Sequence, residues 1–510
     1  MHTVKPLVLI ILDGWGITAD SQYNAITKAH TPQWDEWMRR YPHCTLDASG
    51  PAVGLPKGQI GNSEVGHMHI GAGQQILQDF YQINLDIENK TFLKKQILID
   101  LCQQTIKNNA TLHVMGLLSS GGVHAHEQHL YAFLELASQH GAPRIALDLF
   151  LDGRDVAPKC ALESVERLEQ QLSQYSFAHI NTLSGRFYAM DRDHRWERVE
   201  LAYNALTQGD QPHFQSAQEA IQAAYENNIT DEFIMPCEIG SQYVPIQDGD
   251  NVFFFNFRAD RAIQLTDCLI NQEFSGFERR KILHLGNMVS MTKYAEDLKT
   301  HIVYPPHHLK NTLGEVLEQQ QLHQLRIAET EKFPHVTFFL NGGRETPFQH
   351  EDRVLIASPK VKTYDMMPKM RARDITQAII DGMASQKYEV IIANFANADM
   401  VGHCGELPAT IEAIETLDQC FAQLNQALHQ YQAHAIITAD HGNAEIMYDE
   451  VSKQKHTAHT LSPVPFLFIG KNCQMTKTHG SLIDIAPTML YLLGISQPKE
   501  MTGESLLKKE

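Results

Sequence analysis

The sequence predicts an α/β fold with largely parallel strands, divided into two domains. Short apolar runs alternate with amphipathic helical stretches along nearly the whole chain, which is typical of parallel sheets covered by helices. The length of 510 residues exceeds what one ordinary hydrophobic core supports. With 43% hydrophobic and 20% charged residues, the composition is that of a globular protein that buries large cores.

Each element follows from a local pattern. Buried strands are predicted where short apolar runs are bounded by polar residues, and helices where apolar residues recur every three or four positions. The first group of strands is 6–12, 390–394, 433–438 and 465–469, and a second group in the middle of the chain is 112–118, 144–151, 179–183 and 251–255. The clearest helices are 127–138, 162–172, 373–384 and 408–428.

Charge and cysteine usage exclude several classes of protein. A formal net charge of −18 argues against a general nucleic-acid or anionic-membrane binder, because both need a basic surface. The eight cysteines are scattered without a CxxC pair, which argues against a disulfide scaffold or a zinc ribbon. The first apolar run ends at Asp13, too early for a signal peptide, and no stretch approaches a membrane span. We therefore expect a cytoplasmic protein.

Polar residues follow the predicted strands, where α/β sheets place their ligands. Asp13, Asp399, Asp440 and His441 follow strands of the first group. The strands of the second group are followed by segments at 120–126, 152–155, 185–192 and 258–261, and the last three of these contain arginine. Two sites of opposite character predict two domains that face one cleft.

The acidic group has the character of a metal site. Asp399 and His403 are four residues apart, so on a helical turn both side chains share one face. Carboxylates mixed with imidazoles suit Zn²⁺ or Mn²⁺, and there are enough candidate ligands for two ions, a recurrent device in phosphoryl transfer. Taken singly, an aspartate after a strand is more often a helix cap. The motif HTAHT offers His456 and His459, and the residues alone do not choose between them.

Ser63 is the candidate nucleophile. It lies in the glycine-rich segment GQIGNSEVGHMHIGAG at 58–73, where backbone N–H groups at a turn or helix start can receive phosphate oxygens. A serine hydroxyl needs activation, and a bound metal is one way to supply it. The alternative is that Ser63 only caps a helix that has Glu64 in its first turn.

These segments together resemble one family along essentially the whole chain: the cofactor-independent (2,3-bisphosphoglycerate-independent) phosphoglycerate mutases of the alkaline phosphatase superfamily. The resemblance is carried by LDGWG at 12–16, GQIGNSEVGH at 58–67, GLLSSGGVHAH at 116–126, DGRDVAP at 152–158, SGRFYAMDRDHRWER at 184–198, NFRADRA at 256–262, AETEKFPHVTFFLNGG at 328–343, NFANADMVGH at 394–403, TADHGNAE at 438–445 and HTAHT at 456–460. The sequence departs at Ala398, where the family commonly has proline, and at Cys404; neither position supplies a ligand.

The resemblance implies a fold and a ligand set. The fold is an alkaline-phosphatase-like parallel-sheet domain, 1–77 and 311–510, that binds the metals, with a second α/β domain, 78–310, inserted for phosphotransfer and substrate binding. Two divalent ions, most consistent with Mn²⁺, are implied, and 2,3-bisphosphoglycerate is not required. The implied ligands are Asp399, His403 and His459 for one ion, and Asp13, Ser63, Asp440 and His441 for the other.

The resemblance also implies the substrate-binding residues. They are His124, Arg154, Asp155, Arg186, Arg192, Arg258, Arg261 and Lys332. Arginine forks bind carboxylates and phosphates bidentately, and phosphoglycerate carries both groups. Considered alone, each arginine is also compatible with a solvated surface charge, Arg154 with an ion pair to Asp155, and Lys332 with an exposed position.

The implied activity is the interconversion of 3-phosphoglycerate and 2-phosphoglycerate in glycolysis and gluconeogenesis by a monomeric isomerase. Metal-activated Ser63 takes the phosphoryl group, Lys332 stabilises charge on the transferring oxygens, and Asp155 is the general base or proton relay. The alternatives are a metal-dependent phosphomonoesterase of the same superfamily, a phosphopentomutase, whose middle-domain motifs match poorly, and a catalytically silent sensor. A sensor should have lost a ligand or the nucleophile, and none is missing.

Overall fold

The computed structural model describes residues 5–19, 22–306 and 309–510. The chain divides into two compact units: the first is Met1–Gln78 with His308–Glu510, and the second is Asp79–His307. We refer to them as the discontinuous unit and the inserted unit. The joins expected from the sequence were 77/78 and 310/311, and the role of each unit stays a prediction.

The strands alternate with helices along the chain, as the sequence predicts. In chain order they are β1 Leu7–Leu12, β2 His43–Asp47, β3 Leu112–Leu118, β4 Ile145–Leu151, β5 Ala178–Gly185, β6 His213–Phe214, β7 Cys237–Ile239, β8 Asn251–Phe254, β9 Asn287–Thr292, β10 His301–Tyr304, β11 Gln324–Glu329, β12 Glu351–Ile356, β13 Val390–Phe395, β14 His434–Thr438, β15 Tyr448–Asp449, β16 Gln454–Lys455, β17 Val464–Ile469, β18 Cys473–Met475, β19 His479–Ser481 and β20 Leu507–Lys509.

The helices connect these strands. In chain order they are α1 Ala25–Lys28, α2 Pro32–Arg40, α3 Ser63–Ala72, α4 Asp79–Glu88, α5 Gln96–Lys107, α6 Glu127–Gln139, α7 Ala161–Leu172, α8 Arg186–Ala189, α9 Trp196–Thr207, α10 Ala217–Glu226, α11 Ile263–Ile270, α12 Leu313–Gln319, α13 Ala372–Ala384, α14 Asn397–Gly402, α15 Leu407–Gln430 and α16 Ile485–Leu493. No helix in the described part of the chain is both long and apolar enough to cross a membrane.

The discontinuous unit is built on an eight-stranded sheet of order β12-β11-β13-β1-β14-β17-β2-β19. Its neighbouring strands β11, β13, β1 and β14 are parallel, so their carboxyl ends meet at one edge. Strand β17 is antiparallel to both of its neighbours. All six residues of β1 are buried, because the strand is central in a sheet that is covered on both faces.

The inserted unit has its own eight-stranded sheet, of order β10-β9-β8-β3-β4-β5-β7-β6. Strands β8, β3, β4 and β5 are parallel neighbours, and β7 is antiparallel to β5. The strands β3 and β4 are buried along their whole length. The fold class expected from the sequence is confirmed, and so are the predicted strands and helices, whose ends shift by one or two residues.

Helix α3, which begins at Ser63, packs unusually closely against its neighbours at two glycines. A Cβ added at Gly66 would lie 2.5 Å from the carbonyl oxygen of Asp440, and one at Gly71 would lie 1.9 Å from that of Leu340. Both neighbours are backbone atoms that cannot rotate away. The glycines therefore set how near α3, and Ser63 with it, approaches the rest of the unit.

Replacing Gly71 with alanine tests this close packing. In an exposed helix the change stabilises by about 1 kcal/mol, whereas here we expect overpacking to reduce the free energy of unfolding by about 1–3 kcal/mol. The matched control is Gly382→Ala in α13, where the added carbon meets the movable ends of Leu325 and Ile391 and should cost much less. Denaturant unfolding of both variants decides; a stabilised Gly71→Ala protein would contradict the packing described.

Candidate functional site

Four strand ends of the discontinuous unit place charged side chains at one edge of its sheet. Asp13 follows β1, Asp440 and His441 follow β14, and Asp399 lies in α14, which begins two residues after β13. Lys332 ends a short 3₁₀ turn, Thr330–Lys332, that directly follows β11. Because these strands are parallel neighbours, residues more than 400 positions apart in the chain come together.

Ser63 is the first residue of α3 and is buried. Its Oγ lies 2.9 Å from Nε2 of His441, 3.2 Å from Oδ1 of Asp13 and 2.7 Å from Nζ of Lys332. The helix cap is the preceding residue, Asn62, whose side chain accepts the N–H of Val65. The alternative in which Ser63 is itself the cap is therefore wrong, and its hydroxyl is free to face the charged cluster.

Lys332 is a buried cation among carboxylates. Its Nζ lies 2.7 Å from Oδ1 of Asp13 and 2.7 Å from Oδ2 of Asp399. Burial by itself lowers the pKa of Lys332, but the charges of Asp13 and Asp399 outweigh it and raise that pKa, so the ammonium stays protonated. An exposed position for Lys332, the alternative left open by the sequence, is wrong.

The side chains form two groups that could hold metal ions. One is Asp399, His441 and His459, and the other is Asp13, Asp440 and His441. Burial lowers the pKa of His441, but Asp440 and the hydrogen bond to Asp13 raise it to about 9. The ring therefore carries a proton at neutral pH that an incoming cation must displace.

His403 also belongs to this cluster. Its Nε2 lies 3.1 Å from Oδ1 of Asp399 and 3.1 Å from Nε2 of His459. The Nδ1 atoms of the two histidines face the carbonyl oxygens of Thr457 and Gly61, at 2.7 and 3.0 Å. A nitrogen facing a carbonyl must donate, so both Nδ1 atoms carry a proton, and both Nε2 atoms face Oδ1 of Asp399, at 3.1 and 3.2 Å.

The donor set fits divalent ions. Three carboxylates and three imidazoles converge, and Oδ2 of the fully buried Asp440 has no hydrogen-bond partner among the described residues. The rings of His67 and His441 lie 3.2 and 3.5 Å from this oxygen, which is available as a ligand for a cation. His456 is not in either candidate group among the described residues, whereas His459 is. Mixed oxygen and nitrogen ligands are consistent with the metal types that the sequence predicts.

The inserted unit gathers a second cluster at the ends of its own parallel strands. Arg186, only 2% exposed, directs Nη1 to Asp152 at 2.6 Å and to Asp155 at 2.5 Å. His124 lies beside them, with Nε2 3.8 Å from Oδ2 of Asp155. Burial, with the charge of Arg186, lowers the pKa of His124 to about 4. His124 is therefore neutral at physiological pH.

The remaining arginines of this cluster are more exposed. Asp260 pairs with Arg192 at 2.9 Å and with Arg258 at 3.2 Å. Arg261 donates to the carbonyl oxygen of Met190 at 2.9 Å. Arg154 is more than half exposed and pairs with Glu232 rather than with Asp155, so the ion pair considered from the sequence is wrong. Its backbone N–H donates to Oδ1 of the buried Asp152 at 3.2 Å.

Several side chains of the two clusters escaped the sequence analysis. They are His67, Asn394, Asn443 and Glu445 around the metal groups, and Asp152 and Asp260 around the arginines. All six lie within segments that carry the family resemblance. Their signal is that each stands within five residues of a candidate ligand or arginine.

Comparisons with known proteins extend over nearly the whole chain. The Metalloenzyme superfamily model matches residues 5–497. A 2,3-bisphosphoglycerate-independent phosphoglycerate mutase of Legionella pneumophila subsp. pneumophila is 55% identical over 505 residues, covering 99% of this chain and 98% of that protein. The protein of the same name from Coxiella burnetii is 48% identical over 507 residues, with 99% and 98% covered.

One solved structure is similar over the same length. It is a phosphoglycerate mutase of Leishmania mexicana, crystallised at low cobalt concentration, with a TM-score of 0.61 and 33% sequence identity. The alignment covers 99% of this chain and 98% of that chain. The similarity therefore includes both the discontinuous unit and the inserted unit.

Glu329 is a buried carboxylate three residues before Lys332, at the end of β11. Its side chain accepts the backbone N–H of Arg371 at 3.0 Å. Burial raises the pKa of Glu329 from 4.5 to about 7. A carboxyl whose folded-state pKa lies above its unfolded value stabilises the fold at low pH, and that contribution disappears as the pH rises through 7.

Glu329→Gln should therefore increase stability at alkaline pH. Relative to the parent protein, we expect little change at pH 5 and a gain of up to about 3 kcal/mol at pH 8, because the variant never ionises in the folded state. The control is Glu331→Gln, an exposed carboxylate two residues further on. Thermal unfolding in chelator at both pH values measures the effect; an equal shift at both would refute it.

Proposed function

This chain belongs to the 2,3-bisphosphoglycerate-independent phosphoglycerate mutases, and on that premise we propose how its own residues interconvert 3-phosphoglycerate and 2-phosphoglycerate in glycolysis and gluconeogenesis. The reaction proceeds through a phosphoserine at Ser63. The observation that carries this proposal is the surroundings of the Ser63 hydroxyl, which lies 2.7 Å from Lys332 and 2.9 Å from His441. Because the chain supplies its own phosphoryl acceptor, no 2,3-bisphosphoglycerate is needed.

We assign two divalent ions to the discontinuous unit. Asp399, His403 and His459 would hold one, and Asp13, Ser63, Asp440 and His441 would hold the other. We propose Mn²⁺ for both, since the donors mix carboxylate oxygens with imidazole nitrogens. When bound, the ions supply positive charge that favours the ionised serine hydroxyl and offsets charge on the phosphoryl oxygens.

The phosphoryl transfer itself uses Ser63, Lys332 and Asp155. Oγ of Ser63 forms a bond to phosphorus while the bond from phosphorus to the glycerate oxygen breaks. The ammonium of Lys332 donates hydrogen bonds to the phosphoryl oxygens, and Asp155 relays to the departing glycerate oxygen the proton that the Ser63 hydroxyl gives up. In the reverse step Asp155 takes the proton from the other glycerate hydroxyl, whose oxygen receives the phosphoryl group from Ser63.

The glycerate must be retained between these two steps, and we assign this to the inserted unit. Its five arginines interact with four carboxylates, Asp152, Asp155, Asp260 and Glu232, which leaves one net positive charge. Glycerate carries one negative charge, so the cluster matches the product of the first transfer better than it matches a phosphate ester. His124, which is neutral, completes this binding site.

Neither cluster needs a residue from another chain, and we propose a monomer that acts in the cytoplasm on small phosphorylated acids. The partners are 3-phosphoglycerate and 2-phosphoglycerate, with no nucleic acid and no membrane. We propose that the discontinuous unit is the metal-binding, phosphatase-like domain and that the inserted unit is the substrate-binding domain.

The product of 3-phosphoglycerate decides between the mutase and a phosphomonoesterase. We expect 2-phosphoglycerate to form without added 2,3-bisphosphoglycerate, in protein loaded with Mn²⁺, and to cease when the metal is removed by chelation. The assay couples 2-phosphoglycerate to the next reaction and measures inorganic phosphate in parallel. Release of phosphate without 2-phosphoglycerate would identify a phosphomonoesterase instead.

Ser63→Ala should abolish turnover while metal and substrate still bind. The hydroxyl is one of several groups around the ions, but it is the atom that forms the covalent bond, so we expect a loss of at least about 10⁴-fold in kcat. Ser49→Ala, a nearby serine whose hydroxyl donates to the carbonyl oxygen of Leu461, is the control and should remain active. Appreciable mutase activity in Ser63→Ala would rule out the covalent route.

A further inference from the structure

Two buried asparagine side chains contact the carboxylates of the two candidate metal groups from behind. Asn443 lies in the loop after β14, and Asn394 is the fifth residue of β13. Both are completely buried. Nδ2 of Asn443 lies 2.9 Å from Oδ1 of Asp399, and Nδ2 of Asn394 lies 2.8 Å from Oδ2 of Asp13. Each amide therefore donates to one of the two groups.

Asn443 is held against Asp399 by its surroundings. Its backbone N–H donates to Oε2 of Glu445 at 2.8 Å, and the same carboxylate receives the N–H of Gly16. A Cβ at Gly402 would lie 2.5 Å from Oδ1 of Asn443, so the glycine makes room for the amide beside α14. The oxygen of Asp399 that Asn443 contacts is the one that faces His403 and His459.

Asn394 contacts two side chains, Asp13 of the other metal group and the neighbouring His67. Its Nδ2 donates to Asp13 and also lies 3.1 Å from Nε2 of His67. Because Nδ2 is a donor, Nε2 of His67 accepts, and the ring proton must be on Nδ1. That Nδ1 lies 2.8 Å from the carbonyl oxygen of Ser63 and 3.2 Å from Oδ2 of Asp440. The amide thus orients Asp13 directly and fixes the tautomer of His67, whose Nδ1 donates to the carbonyl oxygen of Ser63.

The way in which the two amides are used argues against a purely structural role. In both residues Oδ1 is buried without a hydrogen-bond partner among the described residues, whereas Nδ2 has at least one. A structural amide in a protein interior normally uses both its donor and its acceptor. Here only the donor side is used, and in each residue it is directed at a carboxylate of a metal group.

We propose that Asn443 and Asn394 are positioning residues for different ions. Asn443 acts on the ion of Asp399, His403 and His459, and Asn394 acts on the ion of Asp13, Asp440 and His441. Each amide fixes the rotation of a carboxylate. The carboxylate therefore does not have to be oriented when the ion binds. The inference rests on the proposed function only in its assignment of two ions.

The test is Mn²⁺ affinity of the chelator-treated full chain, measured by titration calorimetry. We expect the parent protein to bind two ions, and Asn443→Ala and Asn394→Ala each to weaken one of them by about 10–100-fold. The site is identified in an Asp399→Ala background, where one ion remains. There Asn443→Ala should leave the affinity of the remaining ion unchanged, and Asn394→Ala should still lower it.

Activity provides a second readout that a structural defect does not reproduce. Mutase kcat of either single variant should recover at saturating Mn²⁺, because positioning acts through ion affinity and not through the phosphoryl transfer. The matched control is Asn181→Ala, a buried amide in the inserted unit that donates to Asp148 at 2.8 Å. It should lower thermal stability and leave both Mn²⁺ affinities unchanged.

The outcomes separate this inference from the proposed function. Two ions in the parent protein with unchanged affinities in both asparagine variants would overturn the positioning role alone. A parent protein that binds no Mn²⁺ or Co²⁺ would overturn the two-ion function, and the inference with it. If an alanine variant does not fold, Asn443→Ser or Asn394→Ser replaces it, since serine keeps one hydroxyl donor and should weaken the ion less.

Discussion

The discontinuous unit depends on how it neutralises buried negative charge. Asp13, Asp399 and Asp440 are at most 1% exposed and lie within one cluster, so their mutual repulsion and their loss of hydration oppose folding. Lys332 is the buried cation among them, and the imidazoles of His441, His403 and His459 face the same carboxylates. Lys332 and these rings offset only part of the negative charge, so a cation bound to the cluster would also stabilise the fold.

The parallel sheets are what bring these charges together. The neighbouring strands β11, β13, β1 and β14 of one unit, and β8, β3, β4 and β5 of the other, run in one direction, so each of them delivers the residues that follow it to the same edge of its sheet. The discontinuous unit delivers carboxylates and imidazoles, and the inserted unit delivers arginines that are already largely paired with carboxylates. The two edges are chemical opposites: one suits a phosphoryl group and its cations, and the other suits a single carboxylate.

Close packing around Ser63 serves the same chemistry. Helix α3 approaches the loop after β14 through Gly66, where any side chain would meet the backbone of Asp440. Asn62 caps the helix, which leaves the hydroxyl of Ser63 with no local hydrogen-bonding duty. Ser63, the proposed nucleophile, is thus held on a rigid element, and the amides of Asn394 and Asn443 donate to the carboxylates of Asp13 and Asp399.

The sequence by itself determined the elements and most of the chemistry. Apolar periodicity located β3, β13 and α15 within two residues of their ends, because burial on one face or on both leaves a local pattern. The residues after each strand identified the two clusters for the same reason. Only the tertiary structure separated the side chain of Arg154 from Asp155 and placed the amides of Asn394 and Asn443 against Asp13 and Asp399. Those choices depend on distances between segments far apart in the chain, and no local pattern encodes such distances.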